Sequence, residues 1–306
     1  MSTRNFHFFH RASWLLLLPF VIPVFLLILS AGKAHSVEVE PCVLPADYGQ
    51  VVCRFNEKSP NQLYIIGIAH RDSLTWSNSS CTPRVQAEVY KIGEWLIQHQ
   101  GVELLLPEGF FTVYPKGKGE KAGRSEALPV ASPEGNMELL EQRFSNDRQF
   151  VNAEMLLKEN FPLLLRQVED KDLYQAVFEN IRLLADSKGS MEKSFLIRSE
   201  LDYHQKKRVG TMLQRIPVIV NDEFRQGHID NRRAVFTIGL SHVSDIIKYL
   251  EERKITVRSP LFTPIKHEDY IDELTLAKED FGISVIIPKS LINDREVMER
   301  SNLKGF

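Results

Sequence analysis

Cysteine is scarce in this chain: Cys42, Cys53 and Cys81 are the only three in 306 residues. No Cys-x-x-Cys pair occurs, so a thioredoxin-type dithiol and a zinc ribbon both lack their ligands. Cys42 and Cys53 are close enough in sequence to pair in an oxidising compartment, leaving Cys81 odd; free thiols are the other reading. Charge of one sign is lacking too. The 38 Lys and Arg against 40 Asp and Glu give a net charge of -2, which argues against a general nucleic-acid binder. No Gly-rich phosphate loop is present, and no tandem repeat with a period of about 20–50 residues. Only one long uncharged apolar run exists, which excludes a multi-span membrane protein. What is present is the balance of a folded protein, 43 % hydrophobic and 25 % charged, of a length for about two domains or one large α/β domain.

That single apolar run lies at the N-terminus. Residues 1–13 carry Arg4 and Arg11 and no acid, residues 14–29 are uncharged, and Ala34-His35-Ser36 is a small-x-small pattern. A basic region, an apolar region and a small-residue site are the three parts of a secretory signal. Residues 1–36 are therefore expected to be a cleaved signal for a secreted or periplasmic protein. The alternative is a membrane anchor through residues 14–29. Removing 1–36 takes away three bases and leaves a net charge of -5. Asn78-Ser79-Ser80 is a glycosylation sequon, relevant only in a eukaryotic secretory pathway.

Residues 37–306 read as a single α/β domain. Gly49–Phe55 alternates apolar and polar, as an edge strand does. Asn61–His70 is continuously apolar up to its final His, as in a strand buried on both faces. Thr82-Pro83 starts a helix that Gly101 ends, with Val85, Val89, Ile92 and Leu96 on one face. Val102–Glu108 is the next strand. The Gly- and Lys-rich stretch within 112–136 reads as a loop. Residues 137–226 read as a helical insertion throughout. A strand at Asn231–Gly239, a helix at Val243–Arg253 and a strand at Ile255–Arg258 follow. The tail 260–306 is mixed, with a strand at Ile283–Pro288. The predicted fold is α/β, with a mixed or mostly parallel central sheet and the helical insertion over its carboxyl edge.

Two of these strands end alike, in Gly67-Ile-Ala-His70 and Gly239-Leu-Ser-His242, and a helix follows each. A third, Leu106-Pro107-Glu108-Gly109, ends in a carboxylate. Parallel strands present ligands at their carboxyl ends. Two imidazoles and a carboxylate can hold a divalent metal, which can acidify a water for hydrolysis. One Gly-x-x-His is common by chance, and a lone strand-end His is usually structural; two copies with a matching Glu are harder to dismiss. His267-Glu268-Asp269 and His228-Ile-Asp230 read as solvated surface groups, as do Glu88 and Glu103. Tyr203-His204 lies near Arg208 in sequence.

The arrangement resembles the family of TraB, PrgY, GumN and the Tiki proteases. Its first block corresponds to Gly67–His70, the helix over 83–99 and the strand ending in Glu108. Its late block corresponds to Ala234–His242, the helix through Ile246–Arg253 and Ile255–Val257. An Arg shortly before a Met in the upstream helix corresponds to Arg208 with Met212. The resemblance implies a metal-dependent hydrolase acting on a peptide or protein amide. It would use His70, Glu108 and His242 as metal ligands for Mn, Co or Zn. His70, Glu108 and Arg208 would be its catalytic groups, Arg208 polarising a carbonyl or pairing with Glu108. The related haem-binding ChaN proteins and erythromycin esterases share a similar sheet. A haem or metal carrier using His70 or His242 without catalysis is thus the alternative.

Overall fold

The run Asn61–Ile68 forms a strand, and its pairing organises the sheet. The computed structural model describes residues 42–69, 81–109, 136–145, 152–187 and 190–303, all within a unit spanning Val39–Phe306. Residues 1–36, His70, Asn78 and nearly all of the 112–136 loop lie outside the described residues. No helix among the described residues is long and apolar enough to cross a membrane.

In chain order the elements begin with β1 (Gly49–Phe55), β2 (Asn61–Ile68), α1 (Thr82–Gln100), β3 (Leu104–Pro107), α2 (Met137–Phe144), α3 (Ala153–Asn160) and β4 (Leu164–Leu165). Two helices, α4 (Lys171–Asp186) and α5 (Met191–Arg225), lead to β5 (Arg233–Gly239) and a 3-10 turn at Leu240–His242. Then come α6 (Val243–Glu252), β6 (Lys254–Val257), β7 (Tyr270–Glu273), α7 (Thr275–Lys278), β8 (Phe281–Pro288), α8 (Lys289–Asn293) and α9 (Arg295–Arg300). The central sheet has six strands in the order β1-β8-β2-β5-β3-β4. It is mixed and mostly parallel: β1 alone runs antiparallel, on β8. A separate antiparallel pair joins β6 to β7.

β2, β3, β5 and β8 are apolar without alternation because layers cover both of their faces. Leu63, Ile65, Ile66, Leu104, Leu106, Phe236 and Val285 are almost wholly shielded from solvent. Each such side chain contributes about 1.5–3 kcal/mol relative to an exposed position. Gly101 ends α1 in the left-handed conformation at φ 62°. At the other end of α1, Thr82 is the first helical residue rather than a cap, and Cys81 precedes it without a side-chain cap bond.

β5 is inserted between β2 and β3. One expectation about the elements is corrected: the 137–226 insertion is not helical throughout, because β4 lies within it. Phe161 is extended at φ -129°, ψ 151°, as a residue before proline prefers. The Leu163–Leu165 run then turns into edge strand β4: Leu164 N–H donates to the Glu103 carbonyl at 2.8 Å and Arg166 N–H to the Leu105 carbonyl at 3.1 Å. The strand expected in the tail is present as β8. Every residue of β8 is buried, and it lies between β1 and β2 as a central strand.

No disulfide joins Cys42 and Cys53. Burial pushes the Cys42 thiol up to about 11, and burial also raises that of Cys53. Glu88, expected at the surface, is buried. It accepts from Ser290 N–H at 2.9 Å and Ser290 Oγ at 2.6 Å at the start of α8. Glu103 accepts from the Asp230 N–H at 2.6 Å.

Candidate functional site

Three parallel neighbours, β2, β5 and β3, end side by side. Ile68 pairs with Gly239, and Pro107 with Thr237. The backbone of Glu108 extends that pairing, its N–H donating to the Thr237 carbonyl at 2.9 Å. Glu108, just past β3, and His242, just past β5, therefore meet at one rim. His242 Nε2 lies 3.7 Å from Glu108 Oε1.

Glycine has a separate reason at each of these ends. Gly67 faces the turn after β5: a Cβ there would stand 3.0 Å from both Leu240 Cδ1 and Val243 Cγ2. Gly67→Ala should therefore destabilise the fold by about 1–3 kcal/mol, the usual range for an overpacked core, read as a lower urea midpoint at unchanged m-value. Gly109 sits at φ 92°, a conformation that side chains disfavour. There its N–H reaches Glu169 Oε2 at 3.3 Å.

The long helix α5 supplies the cation. Arg208 Nη2 is 2.7 Å from Glu108 Oε1 and 2.5 Å from Glu169 Oε2, and its Nε donates to Glu169 Oε1 at 2.9 Å. Exposure is 6 % for the Arg208 side chain, 8 % for Glu108 and 0 % for Glu169. Burial opposes the charge on Arg208, but hydrogen bonds and attraction from Glu169 and Glu108 outweigh it and hold the pKa above its ordinary value. The Tyr174 ring lies under the guanidinium at 5.4 Å. About two helical turns on, Arg215 grips the same segment, donating to the Glu169 carbonyl at 2.8 Å and pairing with Asp170 at 2.6 Å. The second oxygen of Glu108 accepts the Gly239 N–H at 2.6 Å.

The result is a buried cluster of two carboxylates and one guanidinium, with an imidazole at its edge. Burial of Asp245, one turn beyond His242 on α6, raises its carboxyl above the ordinary range against the pull of Lys206.

No family model, curated protein or solved structure matches this chain.

Of the residues singled out in the sequence, Glu108, Arg208 and His242 are brought together, and His70 lies outside the described residues. Of the two roles foreseen for Arg208, the geometry shows the pairing with Glu108. Glu169 was missed: in Glu169-Asp170-Lys171-Asp172 it looks like ordinary helix-start acidity, and Asp170 indeed caps α4.

The described residues contain one further set of ligand-type groups. Glu200, His204 and His267 bring their ligand atoms within 4.8 Å of one another. His267, expected to be a solvated surface group, has a side chain only 16 % exposed. Its ring stacks on Tyr203, with centroids 4.4 Å apart and planes 21° apart. Burial, with the neighbouring His267 and Lys207 adding to it, pushes the His204 imidazole below its ordinary value despite the carboxylate of Glu200. The spacing Glu200, His204, Arg208 was a legible signal, because positions four apart share a helix face.

Proposed function

We propose that this chain is a hydrolase of the TraB/GumN type that cleaves an amide bond in a peptide or protein, with its reacting centre at the carboxyl ends of β3 and β5. The observation that carries this is the Glu108 carboxylate, buried and fixed by Arg208 and the Gly239 N–H, 3.7 Å from His242 Nε2. Its surroundings cost several kcal/mol in desolvation, a cost common where electrostatics are arranged for chemistry. In this reading neutral His242 and ionised Glu108 stand where they could ligate one ion, and Arg208 and the Gly239 N–H fix the carboxylate that would do so. Arg208 is a positioning residue. Its guanidinium is engaged by Glu108 and Glu169, so it fixes where Glu108 stands.

The donor set suits a divalent cation such as Mn, Co or Zn. His242 and Glu108 would supply an imidazole nitrogen and a carboxylate oxygen at a spacing two ligands of one ion can adopt. His70 would be the third ligand. Such an ion would supply Lewis-acid polarisation of the scissile carbonyl. The basic, apolar and small-residue order of residues 1–36 supports export, with the substrate met outside the cytoplasm.

The test is a screen of the full chain against fluorogenic peptides of mixed sequence, with Mn2+, Co2+ and Zn2+ supplied separately. Cleavage by the wild type that disappears in His242→Ala is expected. Absence of cleavage with every ion, or cleavage indifferent to His242→Ala, contradicts the proposal.

A further inference from the structure

Helix α5 carries a stripe at intervals of four residues, and the two halves of that stripe differ. Met212, Ile216 and Val220 are apolar and buried in the core. Glu200, His204 and Arg208 are polar. Arg208 is accounted for by Glu108 and Glu169, but nothing at the strand ends uses Glu200 or His204. They lie one and two turns toward the helix start, about 6 Å and 12 Å along the axis from Arg208.

These two side chains are costly where they are. The Glu200 side chain is 10 % exposed and that of His204 19 %. Glu200 Oε1 and His204 Nδ1 are both buried with no hydrogen-bond partner among the described residues. An unsatisfied buried polar atom costs about 1–3 kcal/mol, so neither side chain is placed here for stability alone.

The third member comes from the segment between β6 and β7. His267 Nε2 lies 2.5 Å from Glu200 Oε2, and His204 Nε2 lies 3.8 Å from the same oxygen. Ligands of a tetrahedral zinc ion stand about 3.3 Å apart, between those two values. The His204 and His267 rings are nearly perpendicular, at 85° with centroids 5.3 Å apart. Tyr203 orients His267 twice over, by stacking on its ring and by donating its hydroxyl to the Glu268 carbonyl at 3.0 Å. Such outer contacts are how proteins set the rings of metal-binding histidines.

We propose that Glu200, His204 and His267 form a site for one divalent transition-metal ion of the zinc class, separate from the strand-end cluster. Two histidines and one carboxylate leave a fourth position open, which a water completes. Two ligands stand on α5 and one on the 258–269 segment, so the ion clamps that segment to the helix. The clamped segment exposes Leu261, Phe262 and Ile265. The proposal is independent of the hydrolase reading, because it uses none of Glu108, Arg208 or His242.

The test uses the full chain, stripped with a chelator and titrated with Zn2+ and separately with Co2+. The expected result is one ion at this site, counted apart from any ion held at the strand ends by its loss in Glu200→Gln, that produces the visible ligand-field bands of four-coordinate Co2+ and slows proteolysis within 258–269. At about a hundredfold excess over Kd it should raise Tm by roughly 5 °C or more. Glu200→Gln, His204→Ala and His267→Gln should each weaken binding by about 100-fold or more, while His242→Ala leaves it intact. Circular dichroism of the near-isosteric Glu200→Gln variant establishes that it is folded. No bound ion, or an ion that His242→Ala releases and Glu200→Gln does not, overturns the proposal.

Discussion

Replacing Arg208 with methionine is expected to cost about 3–5 kcal/mol of stability, the range for breaking a buried ion pair by removing one partner. The size follows from what stays behind. Glu169 has no exposed side-chain surface and Glu108 has 8 %, so both carboxylates lose their shared counter-charge without gaining water. A surface pair such as Arg295–Glu299 is worth a small fraction of this. The sign of the pH effect is fixed as well. In the variant the folded state holds its stranded carboxylates more readily when they are protonated, so its deficit should shrink from about pH 8 to about pH 5. Urea unfolding at the two pH values checks this. Adding Glu169→Gln to Arg208→Met should restore part of the loss. An Arg208→Met variant within about 1 kcal/mol of wild type at the higher pH would mean that the cluster is not the buried network described.

The second large effect is on turnover. Glu108→Gln keeps the shape and the Gly239 contact but removes the charge beside His242. If His242 and Glu108 together hold the reacting centre, each of Glu108→Gln and His242→Ala should lower kcat/KM by about 10²–10⁴. Exposed His99 stacks on Trp95 with centroids 5.0 Å apart, far from any role in the proposed chemistry, so His99→Ala should leave turnover unchanged. Initial rates on a cleaved peptide, with unfolding curves for each variant, separate lost chemistry from lost fold.

The legible and illegible parts of this molecule divide along a physical line. β2, β3 and β5 could be read because a strand covered on both faces leaves an unbroken apolar run, and their Gly- and Glu-marked ends pointed to a shared rim. Their adjacency could not be read. Strand order depends on contacts between distant segments, and β5 enters between β2 and β3 from more than 120 residues away. β8 was visible as a strand, but no local pattern distinguishes the centre of a sheet from an added tail. Leu163–Leu165 looked helical because a short leucine run fits either period; Pro162 was the clue that it does not continue a helix.

The site divides in the same way. Glu108, Arg208 and His242 carried a pattern that could be recognised. Glu169 had none, because its importance comes from burial beneath Arg208 rather than from its neighbours in sequence. His267 was taken for a surface group because His-Glu-Asp is a polar tripeptide; Tyr203, more than sixty residues earlier, is what draws it inward.

A double-mutant cycle on kcat/KM tests the central claim, that Glu108 and His242 act as one unit at the strand ends. Residues that work together are strongly non-additive. The account predicts that Glu108→Gln/His242→Ala is about as slow as the slower single variant. Losses that multiply, or single variants that keep the wild-type rate, would contradict it.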